Sequence, residues 1–368
     1  MRIGFYAPFK PIDHPTPSGD RTIGRGLFDF LLAYGHDIQV QSRFRARWIY
    51  RQPFRWPALL WERRRVLQKF RKDPMDVWLT YHTYYKSPDL IGPFVCRNTG
   101  VPYAVFQGIY STKRRRDFLT WPGFVLNRQA LLSATQVFTN RRLDQKNLQR
   151  ILPRDRINYI RPGIAPGRYV RDRAAGAELM RRWRIQDAPV VLSAAMFRPD
   201  VKTEGLIFLI TACAALKRDG FRFHLVIAGD GLEAERLQRL GRDALRDTVH
   251  FAGNIPPEEM PDFYSAGEIF AFPGIRESLG MVFLEAQACG LPVVAFDNGG
   301  IPEVVARDRT GFLVPPFDQE SFVRQLRILI ENTDLRRQMG DAARQYVRRF
   351  HDVETNYQLI EKKLLSLV

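Results

Sequence analysis

The sequence predicts an α/β protein made of two doubly wound domains in tandem. Three observations carry that reading. The chain has 368 residues, and at roughly 150 residues per domain that implies two or three domains. Short apolar, β-branched runs alternate with longer segments of helical periodicity from end to end, the pattern of a parallel sheet covered on both faces. The punctuating segment Arg161-Pro162-Gly163 divides the alternation into two series of similar length, and Pro-Gly breaks regular structure strongly.

Taken in order, the strand candidates of the first half are residues 2–7, 38–41, 76–80, 103–107, 136–139 and 157–160. Those of the second half are 190–194, 223–228, 249–252, 269–271, 292–295 and 311–314. Helical segments such as 233–241 and 319–332 connect them. The expected domains are residues 1–163, rejoined by a C-terminal helix at about 352–368, and residues 164–351. In two Rossmann-like domains of this kind ligands bind beyond the carboxyl ends of the strands, so a cleft between the domains is the expected site.

Composition narrows the class. With 45% hydrophobic and 26% charged residues the chain is neither fibrous nor disordered. Its three cysteines, Cys96, Cys213 and Cys289, are too far apart for a disulfide framework or a structural zinc site, which favours a reducing compartment. The run Arg2–Ala7 is stopped by Pro8 before it reaches the length of a secretory h-region, and no apolar stretch approaches the about 20 residues of a membrane span. A cytoplasmic protein is expected. The formal net charge is +17, and residues 1–163 alone carry +18. An excess confined to one half points to an anionic partner for that half.

The densest chemistry lies in Phe272-Pro273-Gly274-Ile275-Arg276-Glu277-Ser278-Leu279-Gly280-Met281-Val282-Phe283-Leu284-Glu285. After a Pro-Gly turn, two glutamates stand eight positions apart. On one continuous helix they would share a face two turns apart. Ser278 would cap that helix, and its first amides would be free to hold an anion. One carboxylate could read sugar hydroxyls and the other a ribose diol, although glutamate pairs at this spacing also occur by chance.

The surroundings make the pattern specific. Gly290-Leu291-Pro292-Val293-Val294, Gly299-Gly300-Ile301-Pro302-Glu303 and Gly311-Phe312-Leu313-Val314 follow in order. Val226-Ile227-Ala228-Gly229-Asp230-Gly231 and Val249-His250-Phe251-Ala252-Gly253 precede. The set resembles the nucleotide-sugar domain of family 4 glycosyltransferases, which have the GT-B fold of two Rossmann-like domains. The first half is similar more loosely, through Pro17-Ser18-Gly19-Asp20, Gly35-His36-Asp37-Ile38, Val137-Phe138-Thr139-Asn140 and Ile160-Arg161-Pro162-Gly163.

The resemblance implies a retaining transferase that uses a UDP- or GDP-sugar as donor substrate, with no further cofactor and no metal. It implies that Glu277 contacts the donor sugar and that Glu285 binds the ribose. The backbone at Ser278, Leu279, Gly280 and Met281, with Gly19 of the first domain, would hold the sugar and diphosphate. The family neutralises the diphosphate with an Arg and a Lys five positions apart. Lys202 matches, while Arg198 stands four before it, a displaced equivalent. No Asp-x-Asp metal motif occurs in the sequence. Where the family often has His-Gly after a first-domain strand, this chain has Gln107-Gly108, and His82 is a second cleft candidate. Glu277, Lys202, Arg198 and His82 are thus the expected catalytic set.

Residues 43–72 hold eleven Arg/Lys against one acid, Glu62, with seven aromatics interleaved. Lys113-Arg114-Arg115-Arg116-Asp117-Phe118-Leu119-Thr120-Trp121 forms a second cluster. Basic groups and interfacial aromatics favour an anionic bilayer surface. The expectation is a peripheral enzyme at the inner face of the membrane, acting on a glycan or lipid-linked acceptor, as in polysaccharide biosynthesis. Two alternatives are a nucleotide-sugar hydrolase or epimerase of the same fold, and a nucleic-acid-binding protein. The second leaves the Glu277–Glu285 motifs without a role, so no nucleic-acid partner is expected.

Overall fold

A computed structural model of the chain describes residues 1–14 and 19–368. The chain divides into two compact units, Met1–Arg161 with Glu354–Val368, and Pro162–Val353.

The first unit is built on β1 (Arg2–Tyr6), β2 (Asp37–Ser42), β3 (Val77–Thr83), β4 (Tyr103–Gly108), β5 (Gln136–Thr139) and β6 (Ile157–Tyr159). They form one parallel sheet in the order β2-β1-β3-β4-β5-β6. The covering helices are α1 (Gly19–Ala33), α2 (Trp56–Lys72), α3 (Gly92–Thr99), α4 (Trp121–Leu132) and α5 (Arg142–Leu148). Strands β3 and β4 are buried along their whole length. Such strands read as continuous apolar runs because both faces are covered. Trp78, Tyr103, Phe70 and Leu131 sit in this core.

The second unit carries β7 (Val190–Ala194), β8 (His224–Ala228), β9 (Val249–Gly253), β10 (Ile269–Ala271), β11 (Val293–Phe296) and β12 (Gly311–Val314). Its parallel order is β12-β11-β10-β7-β8-β9, the doubly wound order of dinucleotide-binding sheets. Helices α6 (Arg173–Arg182), α7 (Val201–Arg218), α8 (Ala234–Leu245) and α9 (Met260–Ser265) are followed by α10 (Met281–Ala288), α11 (Ile301–Val304), α12 (Gln319–Glu331) and α13 (Thr333–Phe350).

The last helix, α14 (Val353–Leu365), returns to the first unit. Tyr357 sets its ring against Phe30 and Phe106, at centroid distances of 5.6 and 6.1 Å. His36 Nε2 lies 2.7 Å from Glu361 Oε1, and the Tyr34 hydroxyl donates to Glu354 Oε1 at 2.6 Å. No helix among the described residues is long and apolar enough to cross a membrane.

Each sheet reverses its winding at one point, between β1 and β3 in the first unit and between β7 and β10 in the second. In open α/β sheets the crevice at such a point, beyond the carboxyl ends of the strands, is where ligands bind.

Candidate active site

The switch point of the second unit is framed by the loops after β7 and β10. The first runs from Ala195 to Asp200 and enters α7, where Asp200 caps the helix by accepting from the Lys202 amide at 2.8 Å. That cap fixes the first turn and with it the Lys202 side chain. Its ammonium donates to Glu277 Oε2 of the second loop and lies 5.4 Å from the centre of the Phe272 ring. Two of the expected catalytic residues therefore meet in a half-buried ion pair at the switch point.

Both loops are held by glycine-bearing neighbours. Gly229 and Gly231, after β8, have φ of 144° and 148°, and a Cβ on them would lie 1.9 Å from Ala195 O and 2.5 Å from Phe197 O. Only glycine admits that backbone at that distance. The Phe197 amide donates to Asp230 O, and the Glu233 amide to Phe197 O. In the same way a Cβ on Gly299 or Gly300 would come within 2.0 Å of Glu277 O or 1.9 Å of Ser278 O. The Gly300 amide donates to Glu277 O at 2.9 Å, and Asn298 Oδ1 accepts from the Arg276 amide at 3.2 Å. The Gly-Gly segment is a backbone clamp on the Glu277 loop.

The structure corrects one expectation here. Glu277 and Glu285 do not share a helix. Gly274, Arg276 and Gly280 all have φ between 55° and 67°, so the chain turns through the left-handed region three times and α10 starts only at Met281. Ser278 is not its cap. The cap position is Gly280, with no side-chain cap bond. The Ser278 amide donates to the Glu277 carboxylate instead, at 3.1 Å. The first amides of α10, from Met281 on, have no carbonyl one turn earlier within the helix, and Leu279 and Gly280 lead into them.

Glu285 lies one turn inside α10 and is half-buried. The Tyr264 hydroxyl donates to its Oε2 at 2.9 Å, and the Tyr169 ring lies 6.4 Å from that of Tyr264. Burial raises its pKa above the usual carboxylate range, against the pull of the two tyrosines and Arg168. Burial first, and the neighbouring carboxylate next, push both tyrosines up as well. The sequence reading missed Tyr169 and Tyr264, since neither stands at a fixed spacing from Glu285. Arg198 is exposed on the loop before α7. Its guanidinium lies 3.1 Å from Met196 Sδ, and its carbonyl accepts from Thr203 Oγ1 at 2.6 Å. It is adjacent in sequence to the Lys202–Glu277 pair and is not part of it.

In the first unit His82 and Gln107 end the neighbouring strands β3 and β4, where Tyr81 pairs with Phe106 and Thr83 with Gly108. Both have positive φ, 59° and 60°. Backbone strain of this kind in non-glycine residues clusters at functional sites. His82 is stacked on Tyr84 at 4.8 Å and faces the edge of Phe9 at 5.4 Å, next to the switch point. Gln107 Nε2 donates to Asn140 Oδ1 at 3.1 Å, and Asn140 Nδ2 donates on to Ile160 O. A Cβ on Gly108 would sit 2.8 Å from Val137 Cγ1, so that position is glycine for packing. Gly19 opens α1, and the rest of the loop expected before it, residues 15–18, lies outside the described residues. Among the described residues no group of three or more His, Cys, Asp or Glu is placed to hold a metal ion.

The basic clusters of the first unit adjoin each other. The Arg51 guanidinium donates to Leu119 O at 2.9 Å and lies 4.3 Å from the centre of the Trp48 ring. Arg114 lies 4.5 Å from the centre of Tyr85. Phe54, Trp61, Phe118, Leu119 and Trp121 are exposed, Phe118 by 88%. Not every aromatic of residues 43–72 is outward. Phe70 is in the core, and Trp48 and Tyr50 pack on one another.

Two parallel sheets, the second with a charged pair at its switch point, define an α/β protein of two Rossmann-like units. Residues 177–346 match the model of the family described as glycosyl transferases group 1. The chain is 34% identical over 203 residues to a GDP-mannose-dependent alpha-(1-6)-phosphatidylinositol monomannoside mannosyltransferase of Mycobacterium tuberculosis, covering 53% of this chain and 52% of that protein. It is 33% identical over 208 residues to a D-inositol 3-phosphate glycosyltransferase of Streptomyces avermitilis, covering 54% of this chain and 44% of that one. The chain thus spans about half the length of the curated relatives it matches. The crystal structure of Anabaena HepE in complex with UDP superposes over 100% of both chains with TM-score 0.76 at 20% identity. A sucrose-phosphate synthase from Thermosynechococcus elongatus does so with TM-score 0.74 at 19%, over 100% of this chain and 98% of that one. At that identity the likeness carries the fold. Residues 177–346 are thus similar in sequence to group 1 glycosyl transferases, and the fold of the chain is that of the GT-B glycosyltransferase structures.

Proposed function

We propose that the protein is a retaining glycosyltransferase that moves a sugar from a nucleoside diphosphate sugar to an acceptor hydroxyl. The observation that carries this is the Lys202–Glu277 pair, seated where the loops after β7 and β10 meet and clamped by two glycine-bearing loops.

The chemistry follows from what the residues offer. Breaking the bond from the anomeric carbon to phosphate leaves positive charge on the sugar and negative charge on the departing diphosphate. A fixed ammonium and the leading amides of α10 stabilise that negative charge with little reorganisation. Before the donor binds, Glu277 holds Lys202 in place. When the diphosphate takes over the ammonium, the Glu277 carboxylate becomes free to accept from sugar hydroxyls. Glu285, oriented by the Tyr264 hydroxyl, would receive the ribose diol on its remaining lone pairs. No metal enters this scheme, in keeping with the missing Asp-x-Asp motif. The departing phosphate accepts the proton of the attacking hydroxyl on the same face.

The acceptor is assigned to the first unit, with His82 and Gln107 lining its site. The mannosyltransferase relative makes GDP-mannose the first donor to test, and UDP-sugars follow from the fold neighbour bound to UDP. The joined basic and aromatic clusters favour an acceptor at an anionic membrane surface, such as a lipid-linked or phosphorylated glycan precursor. The decisive experiment incubates the protein with radiolabelled GDP-mannose or UDP-glucose and membrane lipid extract, with and without EDTA. Label passing to lipid, unaffected by EDTA, supports the reading. Free sugar as the only product points to a hydrolase, and activity that needs added Mg²⁺ or Mn²⁺ overturns the metal-free scheme.

A further inference from the structure

At the amino edge of the second sheet, opposite the donor loops, lies a cavity of about 580 Å³ within the second unit. Five arginines line it, Arg171, Arg173, Arg336, Arg337 and Arg344, against two carboxylates, Glu268 and Asp341. We infer that this cavity is a second anion-binding site, which takes a phosphorylated small molecule.

The arginines divide into two kinds. Two are tied down. Arg171 donates to Gly267 O at 2.8 Å, and Arg336, buried, donates to Leu329 O and Ile330 O at 2.7 and 2.9 Å while pairing with Glu268 at 3.2 Å. The carbonyl contact fixes the Arg171 guanidinium without neutralising it, the preorganisation that planar recognition of phosphate uses, whereas Glu268 balances Arg336. Arg344 pairs with Asp341. Arg173 and Arg337 stand exposed at the rim, with neither an ion pair nor a side-chain hydrogen bond among the described residues. The two carboxylates are thus already engaged by Arg336 and Arg344, and three positive charges remain over one concave surface. Cys289, next to the cavity, adds no negative charge, because burial pushes its thiol up to about 12. Ala177 and Met180 supply an apolar wall, and Ser265 and Thr333 supply hydroxyls. The volume exceeds that of a bare phosphate and lies in the range of small-ligand sites.

The site is separate from the proposed donor site. The cavity touches Glu268 and Gly290, which precede β10 and β11, whereas Lys202 and Glu277 follow β7 and β10. The inference does not rest on the donor reading, and one experiment separates the two. Inorganic pyrophosphate is titrated calorimetrically into the wild-type chain, the Arg173→Gln/Arg337→Gln double variant and Lys202→Ala. The wild type should bind at two sites. The double variant should lose one, with affinity there falling about tenfold or more, and keep the site that Lys202→Ala removes. A double variant that binds pyrophosphate as the wild type does overturns the inference, as does a wild type with a single site that only Lys202→Ala abolishes. Phenylglyoxal labelling read by mass spectrometry tests the folded wild type directly. Pyrophosphate should protect Arg173 and Arg337 from modification, and equal labelling with and without it contradicts the site.

Discussion

Lys202 and Glu277 each come from a loop that follows a strand, and each is fixed by its own backbone before they meet. A Lys202→Ala substitution removes the ammonium without disturbing the Asp200 cap, which engages only the backbone amide. Loss of one fixed charge on a leaving group typically costs about 2.7–4 kcal/mol of transition-state stabilisation. Transfer should therefore fall about a hundredfold or more in steady-state assays, with weaker nucleoside diphosphate binding. Arg198→Ala, by contrast, should matter only if donor binding draws the exposed guanidinium inward. Activity equal to wild type removes Arg198 from the diphosphate site. Glu285 gives a second residue-scale prediction. Its carboxyl has a folded pKa raised by burial, so the folded state holds the proton more tightly than the unfolded chain. The associated stability is present at low pH and is lost as pH rises through the unfolded and then the folded pKa. Glu285→Gln keeps an acceptor oxygen for the Tyr264 hydroxyl and removes that penalty. Its melting temperature should exceed that of the wild type at pH 8, and the gap should close toward pH 4. The same variant should weaken nucleoside diphosphate binding by about tenfold, through loss of a charged hydrogen-bond acceptor for the ribose.

At the scale of elements the decisive contacts are backbone to backbone. Gly300 has an ordinary φ of −94°, so Gly300→Ala tests close approach alone. Its Cβ would meet Ser278 O at 1.9 Å, and the Glu277 loop would have to move. Overpacking of this kind costs about 1–3 kcal/mol. Thermal unfolding should show that loss, and donor binding should fall with it. Unchanged stability together with unchanged donor binding would mean that the clamp is loose. These elements also show what was legible beforehand. Each of the twelve expected strand segments forms a strand, since buried parallel strands are the apolar runs of the sequence. The ends shift by up to three residues, as in β3, which runs on to Thr83 where the reading stopped at Thr80. The start of α10 was not legible. Residues 275–279 contain no Pro or Gly, and the left-handed turn at Arg276 is imposed by the Asn298-Gly299-Gly300 loop from across the sheet edge. The Tyr169–Tyr264–Glu285 contact was hidden for the same reason, because it joins three segments that only the tertiary fold brings together. The motifs name candidate residues, and the packing shows how they are held.

For the whole molecule the governing quantity is the uneven charge. The excess of +18 in residues 1–163 is concentrated in part on two clusters that the Arg51–Leu119 bond joins, beside the exposed rings of Phe54, Trp61, Phe118 and Trp121. Such a surface should bind vesicles containing anionic lipid and ignore neutral ones. Each basic side chain near the bilayer contributes about 1 kcal/mol. Raising salt from 0.1 to 1 M shortens the Debye length from about 10 to about 3 Å, so binding should drop steeply. Among the three consecutive arginines of α2, Arg64 is exposed, whereas Arg65 is held by Glu62 and Arg63 lies 4.4 Å from the centre of the Phe94 ring. Arg64→Ser should therefore weaken vesicle binding more than Arg63→Ser or Arg65→Ser. Phe118→Ser together with Trp121→Ser should remove the part of the binding that survives high salt, because ring insertion is not screened. Donor binding should persist in all of these variants, since none of the substituted residues belongs to the donor set. Sedimentation with vesicles of defined composition reads each effect. Equal partitioning onto neutral and anionic vesicles, or onto neither, would sever the charge from any membrane role and leave a soluble phosphorylated acceptor as the anion that the first unit attracts.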